Sequence, residues 1–491
     1  MTILDLLDAA RFDRGDAHAV GDITYNELVA RSARVAAGLA GLGIGRGDRV
    51  ALYSENRQGF VDAYLGALRL GAIVVPTNVL YRTSDLGHVL RDSDAKIVIA
   101  SSAQRSFVES LETAPPVVAI ETVEAWAAGA GDHHPAIALR EDEIALVIYT
   151  SGTTGRSKGA MLAHGAVAAI AMQVATAWRW TSRDTLAIAL PLFHVHGLCA
   201  ALNGNIAAGG RILIDARFDA TATLQTLRRD DVTMFFGVPT MYVRLLEALG
   251  DASAPNLRLC VSGSAALDAA VFERFRERFG IEILERYGAT EFGFALTNRY
   301  GGTRVPGSVG IPFAGVSVRV VDADGNDVSV GDVGEILVDG PNVFSGYWRD
   351  AEKTAAAFAI DADGRRWYRS GDLASFDVEN DVYRIVGRKK ELIISGGFNV
   401  YPREVESEMD RFPGVRASAL VGMPDPLRGE IPVAFIEADA CDPDALHAFL
   451  QTRLASFKLP KRIHRIVALP RNALGKIEKH RLAEPLETVA T

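Results

Sequence analysis

The chain has 491 residues, 48% of them hydrophobic, which is ample for two to four folding units at roughly 150 residues each. With 52 Lys plus Arg against 61 Asp plus Glu, a net charge of −9, it offers no basic face to nucleic acid or to an anionic membrane. Three scattered cysteines, Cys199, Cys260 and Cys441, exclude a disulfide framework and a zinc ribbon and fit a reducing compartment.

In chain order, residues 1–8 are acidic where a secretory signal is basic, so no signal is expected there. Residues 50–53, 73–75, 96–99, 145–149 and 212–214 are apolar runs of strand length, and amphipathic stretches such as 25–42 and 58–70 lie between them. Ile- and Val-rich strands alternating with helices predict parallel sheets covered by helices on both faces. The most apolar helical stretch, 165–178, is too short to span a bilayer and contains Gln173. A soluble, cytoplasmic protein is expected. From about Gly307 the pattern becomes β-rich: 316–321 alternates, 322–327 is a turn, and 334–338 returns as a strand. After the polar segment Gly387-Arg388-Lys389-Lys390, roughly a hundred residues of mixed short strands and helices suffice for a small α+β domain. The expected division is 1–387 for a large N-terminal α/β domain and 388–491 for a small mobile one, with a hinge near Lys390.

The densest chemical signal is Thr150-Ser151-Gly152-Thr153-Thr154-Gly155-Arg156-Ser157-Lys158-Gly159. It follows an apolar strand and is read as preceding an Ala-rich helix. Its glycines let backbone N–H groups approach an anion, its hydroxyls add donors, and Lys158 adds charge, so it is read as a phosphate loop rather than a solvated turn. It is not a Walker A loop, because Ser157 stands where that motif needs Gly. A Rossmann fingerprint also fails, because Gly41-Leu42-Gly43 is followed by Arg46 where the third glycine belongs.

This loop resembles the phosphate-binding signature of the adenylate-forming superfamily, which comprises acyl-CoA synthetases, peptide-synthetase adenylation domains and luciferases. Four further motifs follow in the family's order: Tyr287-Gly288-Ala289-Thr290-Glu291, Tyr368-Arg369-Ser370-Gly371-Asp372, Gly387-Arg388 running on to Gly396-Gly397 and Glu404, and a late Lys476 after Gly475. The resemblance implies an ATP-dependent acyl-CoA ligase using Mg²⁺ and coenzyme A, with a carboxylic acid as substrate. It assigns Thr150 to Gly155 and Lys158 to the β- and γ-phosphates, Thr290 to the α-phosphate, and Glu291 to Mg²⁺, a hard cation that takes carboxylate oxygens. Asp372 and Arg388 fall to the ribose, because an ionised carboxylate accepts from both hydroxyls of a diol. Ser262, Gly263, Ser264, Glu285, Tyr287 and Gly288 fall to the adenine pocket. Lys476 would bridge the acyl carboxylate and the α-phosphate. Positive charge there offsets the repulsion of two anions. Gly396, Gly397 and Phe398 would line a pantetheine tunnel after rotation of the small domain about Lys390. The resemblance also implies Lys476 as a candidate target of a lysine acetyltransferase.

No covalent nucleophile is visible, since G-x-S-x-G and H-E-x-x-H are absent. The acid is suggested by Arg286, which stands where the family usually has a small or apolar residue before Tyr-Gly-x-Thr-Glu. A guanidinium beside a fatty tail is costly, whereas against a second carboxylate it grips bidentately. Phe193-His194-Val195-His196-Gly197, Glu285-Arg286-Tyr287-Gly288 and the run from Gly237 to Arg244 resemble malonyl-CoA synthetases. That likeness casts His194 as the aromatic gate, in a catalytic and substrate-binding role, and His196 as a substrate residue. Phe292 and Ala289 depart from the malonate pattern, and Phe292 is expected to narrow or reshape the acyl pocket. Methylmalonate and other short dicarboxylates therefore stay open. The alternatives are a ligase for a monocarboxylic or aryl acid, in which Arg286 pairs with Glu285 or a nucleotide phosphate, and a non-catalytic nucleotide-binding protein.

Overall fold

The computed structural model describes all residues except 132, 151–156, 253, 439, 473–474 and 483–491. It contains two compact units: residues 1–318 with 338–368, and residues 319–337 with 369–491. Arg388 and Lys390 both lie inside the second unit.

The first unit is built on two large sheets. One has nine strands, and its centre runs parallel through Ile283–Tyr287, Leu259–Ser262, Met234–Gly237, Thr185–Ile188 and Arg211–Ile214. Phe235, Cys260 and Ile283 on one face pack with Leu245, Phe272 and Phe275 from the helices Pro239–Leu249 and Ala269–Phe279. Burying side chains of this size contributes roughly 2 kcal/mol each. The other sheet has seven strands with a parallel centre, Ile144–Thr150, Ile73–Pro76, Arg49–Tyr53 and Ile97–Ala100. The apolar runs read from sequence are these strands, and the two amphipathic stretches are the helices Tyr25–Gly41 and Gln58–Arg69.

One local expectation is overturned. No helix follows the Gly/Thr loop directly. Lys158–Ala163 is a strand that returns antiparallel to Ile144–Thr150, pairing Thr150 with Lys158 and Ile148 with Ala160. The helix begins only at His164. Small residues carry the segment as a strand because the fit is close: a Cβ on Gly159 would lie 2.6 Å from Val147 Cγ1. The far edge of this strand is covered by Gly346–Tyr347, which pairs Tyr347 with Ala160. No helix among the described residues is long and apolar enough to cross a membrane.

In the second unit the long hairpin of Val415–Asp425 and Gly429–Ala438 is the spine. Ile393–Ser395 and Arg462–Ile466 flank it, and the helices Pro402–Met409 and Pro443–Gln451 pack over it through Val405, Met409, Leu446 and Leu450. Cys199 and Cys260 are buried, and Cys441 is half-buried. Burial pushes the Cys260 thiol up to about 12 and raises the other two thiols as well.

Candidate active site

Parallel strands present their carboxyl ends along one edge of a sheet, where the connecting loops form a crevice. In the nine-stranded sheet the register sets Gly237 beside Ser262 and Ser262 beside Glu285. Three motifs far apart in sequence, around Gly237, Ser262–Ser264 and Glu285–Gly288, therefore meet at that edge. His194 and His196 follow the adjacent strand Thr185–Ile188. Asn56 ties their loop down, donating to Leu190 O at 2.8 Å while its Oδ1 accepts from Leu192 N at 2.8 Å. His196 opens a π-helix, His196–Leu202, a form frequent at functional sites.

Arg286 is only 5% exposed, and its Nε and one terminal nitrogen have no hydrogen-bond partner. Its guanidinium lies 4.1 Å from the Phe294 ring centroid. His196 is 1% exposed, with both ring nitrogens unpartnered; it stacks on Phe236 at 6.2 Å and meets Phe294 edge-on at 6.1 Å. His194 Nδ1 accepts from the His196 amide at 3.3 Å. Burial lowers Arg286 to about 9, still cationic at neutral pH. Burial, and then the Arg286 charge, hold His194 at about 4 and His196 well below the ordinary histidine value. The pocket thus combines one buried cation with neutral imidazoles. His196 is not a satisfied core histidine, and no cluster of three metal-ligating side chains occurs among the described residues.

Two sequence expectations change here. Glu285 does not pair with Arg286: its carboxylate accepts the backbone N–H groups of Leu267 at 3.3 Å and Gly307 at 3.0 Å. Phe292 is not the ring set against Arg286. It packs on Tyr287 at 5.4 Å and Tyr368 at 5.6 Å, and the aromatic wall against Arg286 is Phe294. Ser262 is buried with its hydroxyl unpartnered, and Ser264 holds a φ of +69°, uncommon for a non-glycine residue. Gly288 packs so closely that a Cβ would sit 2.0 Å from Gly293 O.

Thr290 is buried and Glu291 half-buried beside it. The Tyr347 hydroxyl donates to Glu291 Oε1 at 3.0 Å, and Lys158 Nζ lies 5.0 Å from the centre of the same ring. Tyr347 was invisible in the sequence: an unremarkable Gly-Tyr pair, brought in by strand pairing 187 residues from Ala160. A hard divalent cation suits a carboxylate held in this way, since the phenol orients a ligand of the kind that such a metal takes together with phosphate oxygens. Thr150 ends its strand opposite Lys158. Ser151, Gly152, Thr153, Thr154 and Gly155 lie outside the described residues.

In the second unit Asp372 is buried and pairs with Arg388, Nε to Oδ1 at 3.0 Å, across adjacent antiparallel strands. The Lys476 amide donates to Asn472 Oδ1 at 3.0 Å, and beside it Arg471 forms an antiparallel bridge with Ile477. The Lys476 side chain keeps solvent contact, yet the protein around the ammonium removes enough water to lower its pKa; Arg388 lowers it further, while Asp372 and Glu391 oppose. Gly396 and Gly397 have φ of +57° and +83°, the condition of a type I′ hairpin between Ile393–Ser395 and Phe398–Val400. Phe398, exposed, stacks on Phe457 at 4.7 Å.

Residues 8–348 match the AMP-binding enzyme family and residues 404–476 match the AMP-binding enzyme C-terminal domain. The chain belongs to the AMP-binding enzyme family. It is an acyl-CoA ligase of the adenylate-forming superfamily, an AMP-forming acid–thiol ligase that uses ATP, Mg²⁺ and coenzyme A. Among its relatives, the feruloyl-CoA synthase of Amycolatopsis sp is 36% identical, with 94% of each chain covered. The malonate–CoA ligase of Arabidopsis thaliana is 32% identical, over 91% of this chain and 79% of that one. The ATP-bound crystal structure of MatB from Rhodopseudomonas palustris superposes with a TM-score of 0.89 at 38% identity, covering 99% of each chain.

Proposed function

We propose that this acyl-CoA ligase activates a short dicarboxylic acid, malonate or methylmalonate, as its acyl-adenylate and passes the acyl group to coenzyme A. The observation that carries the reading is Arg286, a buried guanidinium whose Nε and terminal nitrogen lack partners. An uncompensated buried cation is costly, and a second carboxylate on the substrate would relieve it through two parallel hydrogen bonds. His196 adds a neutral imidazole at the same aromatic wall. Similarity to a malonate–CoA ligase and to MatB supports this reading; similarity to a feruloyl-CoA synthase supports an aryl acid instead, and the rings of Phe236 and Phe294 would suit one.

In this reading one carboxylate oxygen of the acid attacks the α-phosphorus of ATP, the bond to the bridging oxygen breaks, and pyrophosphate departs. Lys476 sits across the two anions, Thr290 donates to the α-phosphate, and Lys158 with the Gly/Thr loop holds the departing phosphates. Glu291 would hold Mg²⁺, which neutralises phosphate charge when bound. Asp372 and Arg388 hold the ribose, and Ser262, Gly263, Ser264, Glu285, Tyr287 and Gly288 bound the adenine. The thiol of coenzyme A then attacks the acyl carbon and AMP leaves. Rotation of residues 388–491 about Lys390 would bring Gly396, Gly397 and Phe398 to the pantetheine chain for that step, and acetylation of Lys476 would switch off the first half-reaction.

The test is acid-dependent pyrophosphate release with Mg²⁺ and ATP, with and without coenzyme A, over malonate, methylmalonate, succinate, acetate, octanoate, benzoate and ferulate. Preference for malonate or methylmalonate, lost by roughly 100-fold in R286A, is the expected result. Preference for ferulate, benzoate or octanoate would sink the dicarboxylate reading and leave the ligase class intact.

A further inference from the structure

Gly263 is buried just beyond the strand Leu259–Ser262, and its backbone is not in the left-handed region, so backbone geometry does not call for glycine there. The demand is one of volume. A Cβ at Gly263 would lie 2.4 Å from Arg286 Cζ, 2.5 Å from Nε and 2.7 Å from a terminal nitrogen. The guanidinium has little room to retreat: it is buried, and Phe294 stands 4.1 Å from it. The space that every other residue type would fill is the space the guanidinium occupies.

We propose that Gly263 is a positioning residue for acid specificity: its missing side chain seats the Arg286 guanidinium where it meets the distal charge of the acid. The proposal rests on the assignment of Arg286 to that charge. A methyl group at 263 displaces the guanidinium rather than the backbone, because the clash falls on the far end of a side chain. The specificity of the pocket is thus set by an arginine on one strand together with an absent atom on the next.

The experiment is a double-mutant cycle on the full chain with G263A, R286A and G263A/R286A, reading pyrophosphate release as the ratio of kcat/KM for malonate to that for propanoate. The expected result is a fall in that ratio of roughly 10- to 100-fold in G263A, with the double variant no lower than R286A alone. Thermal unfolding gives a second readout. G263A should lower Tm, and removing the guanidinium in G263A/R286A should restore it even if G263A alone folds poorly. A ratio kept in G263A but lost in R286A would overturn the proposal, as would additive losses in the double variant. So would a raised KM for ATP with the ratio intact, which would return Gly263 to the adenine side alone. A ratio unchanged in R286A would overturn the assignment of Arg286, and this proposal with it.

Discussion

The edge of the nine-stranded sheet and the Asp372 region of the second unit treat buried charge in opposite ways. Around Asp372 the charges are paired: Asp372 with Arg388, Glu335 with Arg369 at 2.7 Å and Lys389 at 3.1 Å, and Lys479 with Glu406 at 2.7 Å and Glu391 at 2.9 Å. Around Arg286 no acid answers the cation among the described residues, and the neighbouring imidazoles are neutral. A paired network fixes its own geometry. An unpaired buried cation holds free energy in reserve for something that arrives later. The contrast separates groups that organise from the one group to which the proposed function gives recognition of the acid.

The largest expected effect comes from the paired side. K476A should lower acid-dependent pyrophosphate release by roughly 100- to 1,000-fold, because Lys476 would offset the charge built up between the two anions. Thioester formation from a supplied acyl-adenylate should survive. Normal adenylation by the variant would break the comparison, since Lys476 would then be one more structural charge.

Tyr347 links Glu291 and Lys158 without adding a charge of its own. Y347F keeps the ring under Lys158 and removes the bond to Glu291 Oε1. It should therefore raise the Mg²⁺ concentration for half-maximal pyrophosphate release by roughly 10-fold, the usual effect of losing a partner that orients a metal ligand. Calorimetric binding of Mg²⁺ with a non-hydrolysable ATP analogue should weaken in parallel, and an unchanged Mg²⁺ requirement would count against that role.

A smaller effect sharpens the unpaired side. R286M replaces an unpartnered buried cation with an apolar side chain of similar length, so it should stabilise the fold by about 1–3 kcal/mol while destroying preference for dicarboxylates. Denaturant unfolding would read the gain. A marked loss of stability would mean that Arg286 is held by its surroundings after all.

The smallest effect is on pH. His194 is held at about 4, against an ordinary value of 6.5, and His196 is depressed further. Below pH 6.5 the unfolded chain binds protons that the native pocket refuses. Their stabilising contribution is therefore complete above 6.5 and is lost as pH falls toward 4. Denaturation midpoints at pH 7.5, 6 and 5 should decline in that order, and H194N should flatten part of the slope.

Much of this was legible in the sequence because it is local. Apolar runs marked the strands, the ordered motifs pointed to the family that the comparisons show, and Arg286 stood out by its type at its place. What was illegible depends on pairing across long separations. That Lys158–Ala163 is a strand is decided by its ladder to Ile144–Thr150. That Phe294 rather than Phe292 faces Arg286 follows from a tight turn at Gly293, φ +55°, which sends neighbouring rings to different sides. Tyr347 has no signature of its own, and Gly263 was read only as an adenine-pocket position; what each does beside Glu291 or Arg286 depends on a side chain brought in from elsewhere in the fold.

The three thiols carry a last consequence. An acyl-adenylate is a mixed anhydride, open to any thiolate within reach, and this enzyme must hand it to the sulfur of a second substrate. Cys199 and Cys260 are buried and held protonated, and the half-buried Cys441 is also shifted away from its thiolate form. Burial and protonation thus leave these three thiols poorly disposed to take the acyl group in place of coenzyme A.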